Sequence, residues 1–280
     1  MILLPKPTLA AFAMCSSLLT APACTLWGVA GERAEGQGTL IVKNRDWKPD
    51  HVQETKTVSP RSGLRYFGLY AVGGEEPGIK AGVNSKGLTV VTASASCLPL
   101  ATRKNQPGKK GVTTEILAGY DSVDALLEHR DLFTHARASF FLIADSRKIA
   151  LVEVALDGRF AVRTETNGVV SHTNSYLDES LRSTNVSNGP SSAKRLERIK
   201  ALLAEARLPL NVAQFKQFSS DQHDGPDNSL WRTGEKTKTL ATWIMALPKQ
   251  GPPSLYLKLA NPGQPVVETN CVFDTKFWRP

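Results

Sequence analysis

Cys24 is the residue that most directly suggests chemistry. It follows Thr20-Ala21-Pro22-Ala23, and that run closes a segment with one basic residue, Lys6, and an apolar stretch from Leu9 to Leu19. A basic start, a short apolar core and small residues at Ala21 and Ala23 form the pattern of a cleavable secretory signal over residues 1–23. The apolar stretch is too short and too interrupted to span a bilayer, and Pro5, Pro7 and Pro22 argue against a buried first helix. Cleavage after Ala23 exposes Cys24 as the first residue of a protein expected in the periplasm or outside the cell. An α-amine of pKa about 8 then stands beside a thiol of pKa about 8.5. One residue supplies both nucleophile and base, and no separate histidine is required.

A competing reading makes Cys24 the acylated anchor of a secreted or lipid-anchored binding protein without catalysis. Pro22 and Ala21 fit such a signal poorly, and Thr25 to Val29 reads as a strand entering a core rather than a polar tether. Other chemistries lack their residues. There is no Gly-x-Ser-x-Gly, and no cysteine or histidine pairs stand at zinc spacing, so His129 and His135 read as exposed helix and loop positions. Gly36-Gln37-Gly38 lacks the third glycine of a dinucleotide loop. Neither metal nor cofactor is expected. His172 is open to two readings, a partner for the cysteine or the organiser of the loop that follows it, and the second is preferred. Cys97 and Cys271 are open to bridging.

Composition narrows the partners. With 41% hydrophobic and 21% charged residues the chain is globular. The net charge of +8 is scattered, apart from a cluster from Arg103 to Lys110 that reads as a polar surface loop. No basic stripe is interleaved with aromatics, which argues against nucleic acid. No later segment suggests membrane insertion. A small-molecule substrate is expected, and a homo-oligomer is left open.

The elements that must position Cys24 are mostly strands. Thr39 to Trp47 is a strand candidate behind a turn at Gly36 and Gly38. Leu64 to Val72, Gly78 to Val83 and Leu88 to Ala93 follow, with Asn84-Ser85-Lys86-Gly87 as the hairpin turn between the last two. Thr113 to Arg130 suggests helices broken near Gly119. Strands resume at Ser139 to Ala144, Lys148 to Val154, Arg159 to Thr164 and Gly168 to His172. Ala193 to Ala206 is the clearest helix, with Leu196, Ile199, Leu202 and Leu203 on one face and Arg195 on another. A helix capped by Asn211 runs to about Phe218, and strands at Thr239 to Leu247 and Ser254 to Leu259 close the chain. Phe140, Phe141, Trp231 and Trp243 are expected in the core. The reading is one α+β domain over residues 24–280.

Cys24-Thr25 followed by Lys43-Asn44-Arg45-Asp46-Trp47 resembles the start of the choloylglycine hydrolase and penicillin V acylase superfamily. Ala81 to Leu88, Ser171-His172-Thr173-Asn174 and Ser191 to Arg198 are similar to later elements of the same group, in the same order. Within it the chain looks closer to the acyl-coenzyme A:6-aminopenicillanate acyltransferase-like branch. The resemblance implies an αββα N-terminal-nucleophile sandwich, two stacked and mostly antiparallel sheets between helix layers. It implies hydrolysis of linear amide C–N bonds through a Cys24 thioester, with acyl transfer as a further outcome. Asp46 would orient the Cys24 amine, Asn174 would donate to the oxyanion, and Arg195 would join a charged network nearby. Lys43 and Asn84 are supporting candidates. Taken without the resemblance, Asp46 reads by preference as a strand-end surface charge, while Asn174 also reads as a turn residue and Arg195 as part of a solvated helix face. Lys43 replaces the arginine of bile-salt hydrolases, and Lys110-Gly111-Val112 replaces an asparagine they use. Both departures argue against bile salts.

Overall fold

The computed structural model describes residues 23–279, so the expected signal segment lies outside the described residues. Thirteen strands run in the order β1 (Thr25–Ala30), β2 (Thr39–Trp47), β3 (Val52–Val58), β4 (Tyr66–Val72), β5 (Gly78–Asn84), β6 (Thr89–Ser94), β7 (Ser139–Ala144), β8 (Ile149–Val154), β9 (Phe160–Glu165), β10 (Val169–His172), β11 (Lys238–Leu247), β12 (Ser254–Leu259) and β13 (Val267–Val272). Helices α1 (Leu100–Asn105), α2 (Val112–Gly119) and α3 (Val123–Glu128) lie between β6 and β7, and α4 (Pro190–Glu205) and α5 (Val212–Ser219) between β10 and β11.

All named pairings are antiparallel. One sheet has the order β10-β1-β2-β11-β12-β13, and the other runs β3 to β9 in sequence. Strand period 2 sorts the residues of the first sheet onto two faces. Leu26, Ile41, Trp243 and Met245 turn inward and pack between the sheets against Val83, Val91, Phe140 and Leu142. Trp27, Val29, Leu40 and Val42 turn outward and pack under Ile199, Leu203 and Phe215 of α4 and α5. On the far side, Val90, Phe141 and Ile143 meet Ile116, Leu117 and Leu126 of α2 and α3. The result is helix, sheet, sheet, helix. Truncating any of these leucines or isoleucines, or Met245, to alanine removes about 2–5 kcal/mol.

Local signals explain most boundaries. Asn211 caps α5 through a reciprocal pair with Gln214, and Gly87 supplies φ +88° to the β5–β6 turn. Three expectations need correction. The stripe of α4 that is fully buried is Ser192, Arg195, Ile199 and Leu203, so Arg195 shares the inner face with Ile199, while Leu196 is half-buried. Part of the supposed surface loop forms α1, and Arg103 there is buried by an ion pair with Glu76 at 2.8 Å. Trp231 is half-buried under Lys258, whose Nζ stands 4.2 Å from the ring centroid, rather than in the core. Strands β3 and β13 are additional to the expected set.

Candidate functional site

Cys24 precedes β1, whose first residue, Thr25, pairs with Asn44 of β2. Alternation therefore sends Cys24, Lys43 and Arg45 to the inner face, and Thr25, Asn44 and Asp46 to the face under α4. The inner group meets at a cavity of about 580 Å³ that also touches Lys80, Thr92, Arg103 and Phe141, and reaches Lys110 and Gly111. This volume suits a small molecule.

On the inner face, Cys24 is 3% exposed. Its Sγ lies 3.3 Å from Lys43 Nζ and 4.0 Å from Arg45 Nη1. Lys43 also donates to the Thr92 carbonyl. Burial alone would raise the thiol pKa, but Lys43 and then Arg45 reverse this, with help from the Asp46 backbone N–H, and the net direction is down. Burial lowers Lys43 and Arg45 in turn, with the Cys24 sulfur opposing. Each of the two groups thus favours the charged form of the other against the effect of burial. Arg45 is fixed by its bond to the Asp46 carbonyl at 3.0 Å, by His51 at 3.4 Å and by the Trp47 ring, whose centroid is 4.1 Å from its Cζ.

On the face under α4, Arg195 is fully buried and holds the main chain of the cysteine. Its Nη1 donates to Cys24 O at 2.9 Å and Thr25 Oγ1 at 2.6 Å, and its Nη2 donates to Asn174 Oδ1 at 3.2 Å. Asp46 Oδ1 accepts from Thr239 at 2.8 Å. Asp46 Oδ2 lies 3.8 Å from Arg195 and 4.0 Å from Arg232, with no hydrogen-bond partner among the described residues. Burial pushes the carboxyl up against the pull of Arg195 and Arg232. Asn174 donates to Ser94 O at 2.9 Å, and its own N–H reaches Ser192 Oγ at 3.2 Å.

Cys24, Lys43, Asp46, Asn174 and Arg195 are thus brought together. Asn84 is not. Its amide donates to Leu117 and Tyr120 carbonyls and accepts from the Lys86 and Leu88 N–H groups, so all its capacity secures the β5–β6 turn against α2. His172 bonds Glu153 at 3.1 Å and the Thr173 carbonyl at 3.0 Å, which makes it an organiser of the loop and not a partner of the thiol. Glu153 in turn accepts from the Leu177 and Asp178 N–H groups. Cys97 and Cys271 are free thiols. Phe141 is buried as expected but also forms cavity wall. Sequence reasoning missed Arg45, Lys80, Arg232 and Thr239. Strand alternation carried a signal for Arg45, two residues from Lys43 on one face. Arg232 and Thr239 reach Asp46 only through the long return of the chain to β11, which no local pattern reports.

The sequence profile described as acyl-coenzyme A:6-aminopenicillanic acid acyl-transferase matches residues 33–264. No protein of curated function matches the chain in sequence. Among solved structures, two variants of the conjugated bile acid hydrolase from Clostridium perfringens are similar. Each is 14% identical, covering 88% of this chain and 92% of that one, with TM-scores of 0.56 and 0.52. At that identity the likeness is one of fold, and it agrees with the αββα layering.

Proposed function

Since the chain belongs to the acyl-coenzyme A:6-aminopenicillanic acid acyl-transferase family, we propose that it cleaves linear amide C–N bonds with Cys24 as an N-terminal nucleophile. The observation that carries this reading is the setting of Cys24. Its sulfur faces a small-molecule cavity 3.3 Å from Lys43 Nζ, while Arg195 grips its carbonyl at 2.9 Å.

Removal of the segment before Cys24 by export processing gives residue 24 a free amine. That amine is the natural donor for Asp46 Oδ2, the buried oxygen otherwise without a hydrogen bond. The Cys24 sulfur attacks the amide carbon, forming a C–S bond and a tetrahedral oxyanion. Its proton passes to the α-amine, which returns it to the departing nitrogen as the C–N bond breaks. Water then attacks the thioester, releasing the acid and restoring the thiol, or an acceptor amine takes the acyl group. Asn174 uses one amide hydrogen on Ser94 O, and its second N–H serves the oxyanion, a contact worth about 3–4 kcal/mol in the transition state. Arg195 acts as a positioning residue through Cys24, Thr25 and Asn174. The burial of the Cys24 sulfur counts against the lipid-anchored alternative, because an acylated anchor must leave the fold.

The test is turnover of a panel of N-acyl amides by the processed protein and by Cys24→Ser. The variant is expected to keep its circular dichroism spectrum and melting temperature within a few degrees and to lose about a thousandfold or more in kcat. A quenched reaction should carry the acyl mass on the peptide that begins at Cys24. Unchanged hydrolysis by Cys24→Ser would sink the mechanism.

A further inference from the structure

Three cations meet at the floor of the cavity, and they are not equally occupied. Lys43 donates to Cys24 Sγ and the Thr92 carbonyl, and Arg45 is held by the Asp46 carbonyl, His51 and Trp47. Lys80 donates only to the Glu76 carbonyl, at 2.7 Å. The nearby carboxylates are engaged elsewhere. Glu76 pairs with Arg103 at 2.8 Å, and Glu75 pairs with Lys48 and Lys104 at 3.1 and 2.6 Å. An ammonium has three N–H donors, so two on Lys80 are without a protein partner among the described residues.

The backbone delivers Lys80 to this place. Along β4 and β5, Leu69 pairs with Ala81 and Tyr70 with Ile79, which leaves Lys80 as the extra residue of a β-bulge. The bulge switches the facing of the strand. Ala81 and Val83 pack between the sheets, while Ile79 packs with the outer cluster. Bulges of this kind re-aim a side chain beside a site, and here the half-buried Lys80 is turned to the cavity wall. Eight cations and two carboxylates line the cavity as a whole, so its field draws anions inward.

We infer that the enzyme selects amide substrates carrying a second, anionic group, a carboxylate or an oxyanion of similar size, and that Lys80 receives it. The inference rests on the amidase reading and names its substrate class. Either the acyl part or the amine part of the substrate can carry the anion. Burial, then Arg45 and Lys43, pull Lys80 down to about 7, with Glu76 and Cys24 opposing. A bound carboxylate adds the opposite charge that this half-buried ammonium lacks and returns it to its charged form.

Two matched pairs test this with the processed enzyme at pH 6.5: glutaryl against pentanoyl p-nitroanilide, and N-pentanoylglycine against N-pentanoylglycinamide. The anionic member is expected to have a kcat/KM about tenfold to a hundredfold higher in at least one pair, and that pair identifies the side bearing the anion. Lys80→Met should reduce the preference to about twofold or less, and Lys80→Arg should restore part of it. Equal kcat/KM within both pairs, or a preference that survives Lys80→Met, overturns the inference while leaving the amidase reading intact. If none of the four is hydrolysed, that reading fails for these amides. Calorimetric binding to Cys24→Ser then decides the inference alone: tighter binding of an anionic member supports it, and equal or no binding overturns it.

Discussion

The two sides of Cys24 are built on opposite electrostatic terms. The main-chain side, under α4, is closed to solvent: the Asp46 carboxylate lies between Arg195 and Arg232, and Arg195 donates to Cys24, Thr25, Asn174 and Ser191. The side-chain face, toward the second sheet, gathers Lys43, Arg45 and Lys80 around the Cys24 sulfur in an open cavity, where the nearby Glu76 is already paired with Arg103. One strand, β2, supplies both sides by alternation, Lys43 and Arg45 inward and Asp46 outward. One side is arranged for fixed geometry, and the other for a charge that the substrate must complete. Removing a charge should therefore have opposite consequences for stability on the two sides.

The largest effect is expected on the closed side. Arg195→Ala leaves the Asp46 carboxylate and the Cys24 carbonyl without their buried partner, and should cost about 3–5 kcal/mol in urea unfolding. A loss below about 1 kcal/mol would mean that the network is not closed as described. On the open side, Lys43→Met should leave the fold intact and move the thiol inflection upward, since the cation that outweighs burial is gone. The pH profile of iodoacetamide alkylation at Cys24 reads this directly, and each unit of upward shift should slow alkylation at neutral pH by about tenfold. An unmoved inflection would assign the activation to Arg45 instead.

Lys80→Met should stabilise. The folded value of Lys80, about 7, lies below the ordinary 10.5 of the unfolded chain. Between these values the unfolded chain holds the extra proton, so the contribution of Lys80 to stability rises with pH, and its penalty is full below about pH 7. The variant is expected to melt about 2–4 °C higher at pH 6, the shift that roughly 1 kcal/mol makes in a chain of this size, with the gap closing toward pH 10. A lower melting temperature at pH 6 would show that Lys80 is already paired. The smallest effect on the site belongs to Asn84→Ala, which should lower stability by about 1–3 kcal/mol through the β5–β6 turn and leave kcat within about twofold.

Much of the scaffold was legible because its strands are apolar and punctuated. β2, β7 and β12 fall at the residues that composition and turns indicate, and the Asn211 cap starts α5 as expected. β3 and β13 escaped because they are edge strands, Val-Gln-Glu-Thr-Lys-Thr-Val and Val-Glu-Thr-Asn-Cys-Val, with mostly polar and largely exposed side chains that leave no hydrophobic period. Helix α1 escaped because its basic sequence reads as a solvated loop, and only the ion pair with Glu76 buries Arg103. For the site, Cys24 could be argued from its own chemistry. Asp46, Asn174 and Arg195 came only with the resemblance, since each has an ordinary local reading. Lys80 depended on a bulge that exists only once β4 and β5 are paired, and a single strand does not announce it.

In the proposed mechanism a free amine on Cys24 completes the site by donating to Asp46 Oδ2. It is tested by the intact mass and N-terminal sequence of protein recovered in active form from the cells that make it. The active chain is expected to begin at Cys24 with an unmodified amine and to lose activity when that amine is acylated. Amide hydrolysis by protein whose Cys24 nitrogen is still joined to Ala23, or is acylated, would contradict it.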